Sequence, residues 1–317
     1  MNFQQNQRVG IIGYGEVGKT FALGLKDQPD ISALSVWDLA FFDLATREAH
    51  LAHATQHEVK AHSSLRALCE ASDLVICAVT ASNTLAVATD AARFMQPGSV
   101  FLDLNSASPG TKQQAAAAIE GWVPGVHYVE AGVMASVPPH GIAVPMLLGG
   151  PHAAALVPVL NGWGMNATPV SDQLGVASAI KMCRSVMIKG LEALVIESYA
   201  TARAYGVEGH VLPTLQETFP SIDWQAQGTY FFSRVVQHGQ RRAEEMREAA
   251  QTVREAGFEP AMTQAIADKQ QWMADQAKAG VFADLLLGML SGVGKGAKWQ
   301  DYADALLAKN VQLLSKK

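Results

Sequence analysis

The feature that most constrains this chain is a glycine pattern directly after an apolar run near its start. Residues 9–12 read Val-Gly-Ile-Ile, which is typical of a strand, and Gly13-x-Gly15-x-x-Gly18 follows. In such a loop the first glycine permits a tight turn, the second lets the backbone approach a pyrophosphate, and the third lets the next helix pack on the sheet. The helix start offers free N–H groups to phosphate. The pattern predicts a dinucleotide-binding loop rather than an ordinary strand–helix turn, made by Gly13, Tyr14, Gly15, Glu16, Val17 and Gly18.

A carboxylate after the second predicted strand bears on which dinucleotide is bound. Asp38 follows the run 33–37, at the position where a carboxylate can accept hydrogen bonds from ribose hydroxyls and repel a 2′-phosphate. We therefore predict NAD as the cofactor. Arg47 is an alternative partner for a 2′-phosphate, so NADP stays open, and Asp38 could instead cap the helix after it.

Length, charge and cysteine content limit the class of protein. A chain of 317 residues predicts two domains. A net charge of −5 without a basic tract argues against nucleic-acid binding. Neither a signal-sequence pattern nor a long uncharged apolar run is present, so we expect a cytoplasmic protein with no membrane partner. The three cysteines are expected to be reduced, and no Cys/His spacing predicts a metal site.

The chain changes character near residue 170. Before it, short apolar runs alternate with alanine-rich helical stretches, which predicts an α/β Rossmann-type domain over 1–170 with a mostly parallel sheet. After it, one long helical stretch over 172–205 is followed by further helical segments, with breaks at 257–260 and 292–296. We therefore predict an all-α domain over 171–317, joined to the first by the long helix.

Ligands bind beyond the carboxyl ends of the strands in such folds, and two loops fall there. Val79 and Thr80 follow one strand, and Asn105 and Ser106 follow the next. Ser108 before Pro109 has a structural role as a helix cap, whereas Asn105 and Ser106 have none that is evident. We expect Asn105 and Ser106 to contact cofactor or substrate.

Two cations lie at the start of the long helix. The spacing of Lys181, Arg184 and Ser185 puts them on one helix face among apolar neighbours. Cations on such a face are costly unless it lines a cleft or binds an anion, although an exposed stripe is the alternative.

Taken together, these segments resemble the β-hydroxyacid dehydrogenase family, which includes 3-hydroxyisobutyrate and 6-phosphogluconate dehydrogenases. Asp103-Leu-Asn105-Ser106-Ala-Ser-Pro109 is similar to the D-x-S-T-x-x-P segment of that family, and 175–181 is similar to G-x-G-x-x-x-K. The segment 130–136 occupies the place of the substrate loop D-A-P-V-S-G-G. The resemblance implies an NAD(P)-dependent oxidoreductase and a helical domain that mediates dimerisation. The arginine at position 184 adds the expectation that the substrate is a small anionic hydroxy acid.

The resemblance also implies roles for individual residues. Lys181 would exchange a proton with the substrate hydroxyl, and Ser106 would orient the reacting groups. For Arg184, which departs from the family pattern, we expect from the guanidinium itself that it binds a substrate anion. The substrate contacts that we expect are Asn105, Met134, Ala135, Ser136, Ser185 and His238.

Departures from the family pattern leave two alternatives open. Arg184 stands where relatives have a neutral amide, the substrate loop is altered, and a later K-D segment has no match. Near its expected place are His238 and the pair Arg241-Arg242, and we expect the two arginines to pair with Glu244, Glu245 or Glu248 on an exposed helix. The alternatives are an imine reductase-like enzyme and a non-catalytic NAD(P) sensor.

Overall fold

The chain forms two compact units. The computed structural model describes residues 7–290 and 296–314. Contacts divide the chain into a first unit of residues 1–183 and a second unit of residues 184–317. The boundary at residue 170 between a dinucleotide-binding domain and a helical domain stays a prediction. Of the chain break predicted at 292–296, residues 292–295 lie outside the described residues.

The first unit is built on one eight-stranded sheet in the order β3-β2-β1-β4-β5-β6-β7-β8. Neighbouring strands are parallel except β6 and β7, which are antiparallel. The strands are β1 (Gln7–Ile12), β2 (Ile31–Trp37), β3 (Lys60–Ala61), β4 (Leu74–Cys77), β5 (Val100–Asp103), β6 (His127–Val133), β7 (Pro145–Gly149) and β8 (Asn166–Ser171). This sheet, followed by a helical C-terminal region, confirms the predicted fold class.

Both faces of this sheet are covered. On β4, Leu74 and Ile76 belong to one apolar core, while Val75 and Cys77 belong to the other. Successive strand residues point to opposite faces, so a strand that is apolar throughout needs cover on both. The covering helices are α1 (Glu16–Leu25), α2 (Arg47–Gln56), α3 (Leu65–Glu70), α4 (Thr84–Ala92), α5 (Pro109–Trp122) and α6 (Ala153–Gly162).

Helix starts follow the local sequence. The Ser108 side chain accepts a hydrogen bond from the Thr111 N–H at 3.2 Å, and Pro109 is the first helical residue of α5. This confirms the predicted cap. The sequence left open that Asp38 caps the helix after it; in the structure a short 3-10 turn, Leu39–Phe41, follows Asp38, and helix α2 begins only at Arg47.

The second unit is helical throughout the part that the structure describes. The long helix α7 (Val176–Tyr205) begins in the first unit and continues into the second. It is followed by α8 (Glu208–Thr218), α9 (Trp224–Glu255), α10 (Ala261–Lys278), α11 (Ala283–Leu290) and α12 (Trp299–Leu314). Its core includes Tyr199, Phe232 and Trp299. Among the described helices, none combines the length and apolar character that a membrane span requires.

Candidate active site

The glycine loop after β1 has the shape that a dinucleotide requires. Gly13 has a φ of 94°, and a Cβ atom there would collide with the Ala78 carbonyl oxygen. A Cβ atom on Gly18 would collide with the Gly13 carbonyl oxygen, whereas one on Gly15 would meet no atom within 4 Å. Helix α1 begins directly after Gly15, so an open stretch of backbone leads into a helix N-terminus and fits a pyrophosphate. Glu16 and Val17, which are also predicted to contact the cofactor, lie on the first turn of α1. Glu16 is exposed and Val17 is half-buried.

Asp38 is tied to this loop. Its carboxylate accepts hydrogen bonds from the Tyr14 N–H at 2.5 Å and from the Ala40 N–H at 2.7 Å. The second contact agrees with the capping role that the sequence left open for Asp38. Because the first contact joins Asp38 to the loop itself, the carboxylate lies beside the proposed phosphate site. Arg47 is exposed at the start of α2.

The loops after β4 and β5 meet through Asn105. Its side-chain oxygen accepts the Val79 N–H at 2.7 Å, and its side-chain nitrogen donates to the Cys77 sulfur at 3.3 Å. Val79 in turn lies next to the glycine loop, because its side chain is 3.1 Å from the position of a Cβ atom on Gly13. Thr80 is exposed and accepts a hydrogen bond from the Asn83 side chain at 2.9 Å. Cofactor contacts by Asn105, Val79 and Thr80 stay predictions.

A buried polar network under the β5 loop was not predicted from the sequence. The Lys112 ammonium lies 2.9 Å from both the backbone oxygen and a carboxylate oxygen of Asp103. The Tyr128 hydroxyl donates to the other carboxylate oxygen at 2.6 Å, and the Asn105 N–H donates at 2.9 Å to the same carboxylate oxygen that Lys112 contacts. Burial, and then the charge of Asp103, raise the pKa of Tyr128 well above its usual 10, so it remains a donor. Lys112 lies on the alanine-rich helix α5, and its neighbours in the sequence do not indicate that its side chain is buried, so the sequence does not predict this network.

Lys181 reaches the same edge of the sheet. Its ammonium donates a hydrogen bond to the Ser106 hydroxyl at 2.5 Å, and only 9% of the lysine is exposed. Both residues belong to the first unit, Ser106 after β5 and Lys181 on the first turns of α7. The structure therefore brings together two of the three residues that were predicted to be catalytic.

Of the predicted substrate loop 130–136, residues 130–133 belong to β6 and residues 134–136 begin the connection to β7. Met134 and Ala135 are half-buried, Ser136 is exposed, and the Met134 N–H donates to the Pro145 carbonyl at 2.8 Å. The loop therefore starts with one further β-type hydrogen bond and then leaves the sheet.

The remaining predicted residues lie in the second unit. Arg184 is exposed, whereas Ser185 is buried. The Ser185 hydroxyl donates to the Glu245 carboxylate at 2.8 Å, and the Lys189 ammonium lies 2.9 Å from the same carboxylate oxygen. Ser185 thus has protein partners, and its predicted contact with substrate stays a prediction.

The prediction that Arg242 pairs with a glutamate of its own helix is wrong. Arg242 pairs with Glu192 of α7 at 2.9 Å, and the Glu192 carboxylate is almost fully buried. Burial raises the pKa of Glu192, against the opposing effects of Arg242 and Lys189. Sequence spacing alone could not show the pair of Arg242 and Glu192, because its members lie on different helices.

His238, a predicted substrate contact, lies on α9, and the helix is distorted there, with a φ of −132°.

No group of three or more His, Cys, Asp or Glu side chains that could hold a metal ion occurs within 7–290 and 296–314. The free thiols of Cys69 and Cys77 are buried, and that of Cys183 is exposed.

The fold and the edge of the sheet define a Rossmann-type dinucleotide-binding protein. Residues 8–170 match the NAD binding domain of 6-phosphogluconate dehydrogenase, and residues 202–273 match a domain of unknown function, DUF1932. The chain belongs to the β-hydroxyacid dehydrogenase family of NAD(P)-dependent oxidoreductases.

Solved structures agree with this assignment. A conserved hypothetical protein from Sinorhizobium meliloti 1021 is 35% identical, with 96% of each chain covered and a TM-score of 0.68. A conserved protein of unknown function with structural similarity to 3-hydroxyacid dehydrogenases is 29% identical, with 85% of this chain and 99% of that chain covered and a TM-score of 0.61. The 3-hydroxyisobutyrate dehydrogenase of Mycobacterium tuberculosis shares the fold at 14% identity, with 95% and 99% covered and a TM-score of 0.65.

Proposed function

We propose that this protein transfers a hydride between NAD(P) and the hydroxyl-bearing carbon of a small anionic β-hydroxy acid, with Lys181 as the acid and base. The contact between the Lys181 ammonium and the Ser106 hydroxyl carries this proposal. A mostly buried lysine at the carboxyl edge of a nucleotide-binding sheet is placed to serve the reacting end of a bound dinucleotide.

The residues at this edge form a connected series. Asp38 is bonded to the glycine loop, the loop lies against Val79, and Val79 is bonded to Asn105. Ser106 is next in sequence and contacts Lys181. This series supports an extended ligand that lies along the edge, with its phosphates at the loop and its reacting ring toward Lys181.

The chemistry of the site follows from the proton on the Lys181 Nζ atom. Bound NAD(P) supplies the hydride acceptor or donor. In oxidation a neutral Lys181 amine takes the proton of the substrate hydroxyl, and in reduction the Lys181 ammonium returns a proton to the carbonyl oxygen. The Ser106 hydroxyl, which accepts a hydrogen bond from Lys181, holds the amine in place and orients the substrate oxygen.

The Asp38 carboxylate favours NAD over NADP. It lies at the end of β2 and is anchored by two backbone N–H groups, which fix its orientation beside the glycine loop. A carboxylate there accepts hydrogen bonds from ribose hydroxyls and repels a 2′-phosphate.

The substrate class rests on Arg184 and the altered loop. An arginine in place of a neutral amide favours an anionic substrate, because a guanidinium binds a carboxylate with two parallel hydrogen bonds. Met134, Ala135 and Ser136 are further proposed substrate contacts, as are Ser185 and His238. We also propose a cytoplasmic homodimer, in line with the family resemblance.

Replacement of Lys181 tests the function. We expect Lys181→Ala to lower kcat with the best substrate of a hydroxy-acid panel by about 100-fold or more, the range of a general acid–base group. The Kd of NADH should stay within about twofold of the wild-type value, because the substitution removes a group that acts in the transition state and not one that holds the cofactor. Lys269→Ala is the control, since Lys269 pairs with Glu197 in the second unit.

Three results would contradict the proposal. Wild-type turnover in Lys181→Ala would remove the assigned acid and base. Reduction of a cyclic imine at neutral pH, without activity on any hydroxy acid, would favour the imine reductase-like alternative. Tight NADH binding without turnover of any hydroxy acid or cyclic imine would favour the non-catalytic NAD(P) sensor.

A further inference from the structure

Helix α7 starts without a capping side chain of its own. Its first helical residue is Val176, and the residue before it is Gly175, which has a φ of 99° and no side chain. The first N–H groups of a helix have no partner inside the helix and need one from elsewhere. The helix that carries Lys181 therefore depends on a group from another element.

Glu130 of β6 supplies that group. One oxygen of its carboxylate accepts the Gly175 N–H at 2.7 Å and the Ala177 N–H at 3.1 Å. The other accepts the Ser178 hydroxyl. Glu130 is completely buried, so these three donors replace the water that an ionised carboxylate would otherwise need. The negative charge also lies at the positive end of the α7 dipole, where it is stabilising.

A second residue of β6 lets the strand lie close to the same turn. A Cβ atom on Gly132 would be 3.0 Å from the Ala177 carbonyl oxygen and 3.4 Å from the Cβ atom of Lys181. Glu130 and Gly132 are two residues apart on one strand, so they point to the same face of the sheet. This face of β6 thus holds the first turn of α7 in two ways. Glu130 accepts its hydrogen bonds, and Gly132 allows the backbone of the strand to pack closely against it.

We propose that Glu130 is a positioning residue for Lys181, acting as an N-terminal cap donated by β6 to α7. Lys181 lies one turn after Ala177, so the location of the first turn sets the location of the amine. The Lys181–Ser106 contact joins α7 to the β5 loop and tolerates little displacement, because a shift of about 1 Å in a reacting group can cost about 100-fold in rate. The catalytic consequence rests on the proposed function, whereas the cap itself does not.

Glu130→Gln tests the role of the charge with little change in shape. We expect kcat to fall by about 10- to 100-fold while the Kd of NADH stays within about twofold. Amide hydrogen exchange in peptides covering 175–183 should become at least about tenfold faster, because the first turn opens more often. Glu130→Asp keeps the charge on a shorter side chain and should fall between wild type and Glu130→Gln in both measurements.

Two further variants separate the cap from general stability. Glu120→Gln is the matched control, since Glu120 also accepts a backbone N–H, that of Tyr128 at 3.0 Å, but on α5. It should leave kcat and exchange over 175–183 unchanged. Ser178→Ala removes only one of the three donors to Glu130, so it provides a milder test if Glu130→Gln does not fold. It should accelerate exchange over 175–183 more weakly than Glu130→Gln does.

The outcomes distinguish this proposal from the proposed function. If exchange over 175–183 in Glu130→Gln equals that in Glu120→Gln, Glu130 is not a cap and the inference is overturned. If exchange accelerates but kcat is unchanged while Lys181→Ala is inactive, the cap exists but does not position the lysine. If Lys181→Ala is fully active, the proposed function fails, and the exchange measurement still decides the cap.

Discussion

Lys181 and Ser106 are 75 residues apart in the chain, yet their side chains meet at 2.5 Å. The contact needs the β5 loop in one place and the first turns of α7 in another. The β5 loop is held in place by Asp103, whose carboxylate contacts Lys112, Tyr128 and the Asn105 backbone. At the scale of single residues, the candidate site therefore consists of one lysine–serine pair supported by buried polar groups.

Arg184 shows how much a shift of three residues changes on a helix. Lys181 and Ser185 are buried, whereas Arg184 is exposed. A predicted common face thus divides into a buried side and an accessible one. An exposed guanidinium is suited to bind an anion from solution, and its role is separable from that of Lys181.

We expect Arg184→Asn to raise KM for anionic substrates by about 10- to 100-fold, the effect of losing hydrogen bonds from a charged donor. The change in kcat should be small, because the arginine binds ground state and transition state alike. Steady-state kinetics across the hydroxy-acid panel measures both, with Arg241→Asn as the exposed control. An unchanged KM for every anionic substrate would show that Arg184 does not contact them.

At the scale of elements, buried ion pairs join α7 and α9 in the second unit. Lys189 pairs with Glu245, and Glu192 pairs with Arg242. The Gln270 side chain of α10 donates to the same Glu192 carboxylate at 3.4 Å. Such pairs specify how helices align, because any other alignment would leave a charge buried without its partner.

We expect Arg242→Met to destabilise the protein by about 3 kcal/mol, because Glu192 would remain buried with its main partner removed. The double variant Glu192→Leu/Arg242→Met should recover most of that loss, since neither charge remains. Urea denaturation measures both. Arg66→Met, which breaks an exposed pair with Glu70, should cost less than about 1 kcal/mol. Equal losses in the single and double Arg242 variants would mean that packing, not charge, accounts for the effect.

At the scale of the whole molecule, partly buried histidines link stability to pH. Burial is the main cause that lowers the pKa of His53, His62 and His127 below 6.5, and neighbouring cations or histidines add to it. All three lie in the first unit. In the window between their folded-state pKa values and 6.5, the unfolded chain binds more protons than the folded one.

Stability should therefore be full above about pH 6.5 and should fall as the pH drops through the lower folded-state values. Thermal unfolding measured from about pH 8 to about pH 5 tests this, with His53→Gln expected to reduce the slope. A Tm that rises on acidification through this range would contradict the prediction.

Local pattern was sufficient for most elements. Strand β1, the glycine loop and helix α1 follow directly from residue order, and the end of α5 nearest the site follows from Ser108 and Pro109. Two features were not evident. Strand β3 has only two residues, too few for an alternating pattern, and β7 runs antiparallel because the connection from β6 is too short for a parallel crossover.

Residue order alone predicts the succession of elements, the glycine loop and the candidate lysine, because each depends on residues that are neighbours in the chain. Which charged groups pair with one another follows from the three-dimensional packing and not from residue order. Glu130 caps a helix that begins 46 residues later, Lys112 is buried under the β5 loop, and Arg242 pairs with a different helix from the one expected. The reason is physical: a buried carboxylate is stabilised by whichever donors packing brings to it, and packing joins residues whose separation along the chain carries no information about their distance in space.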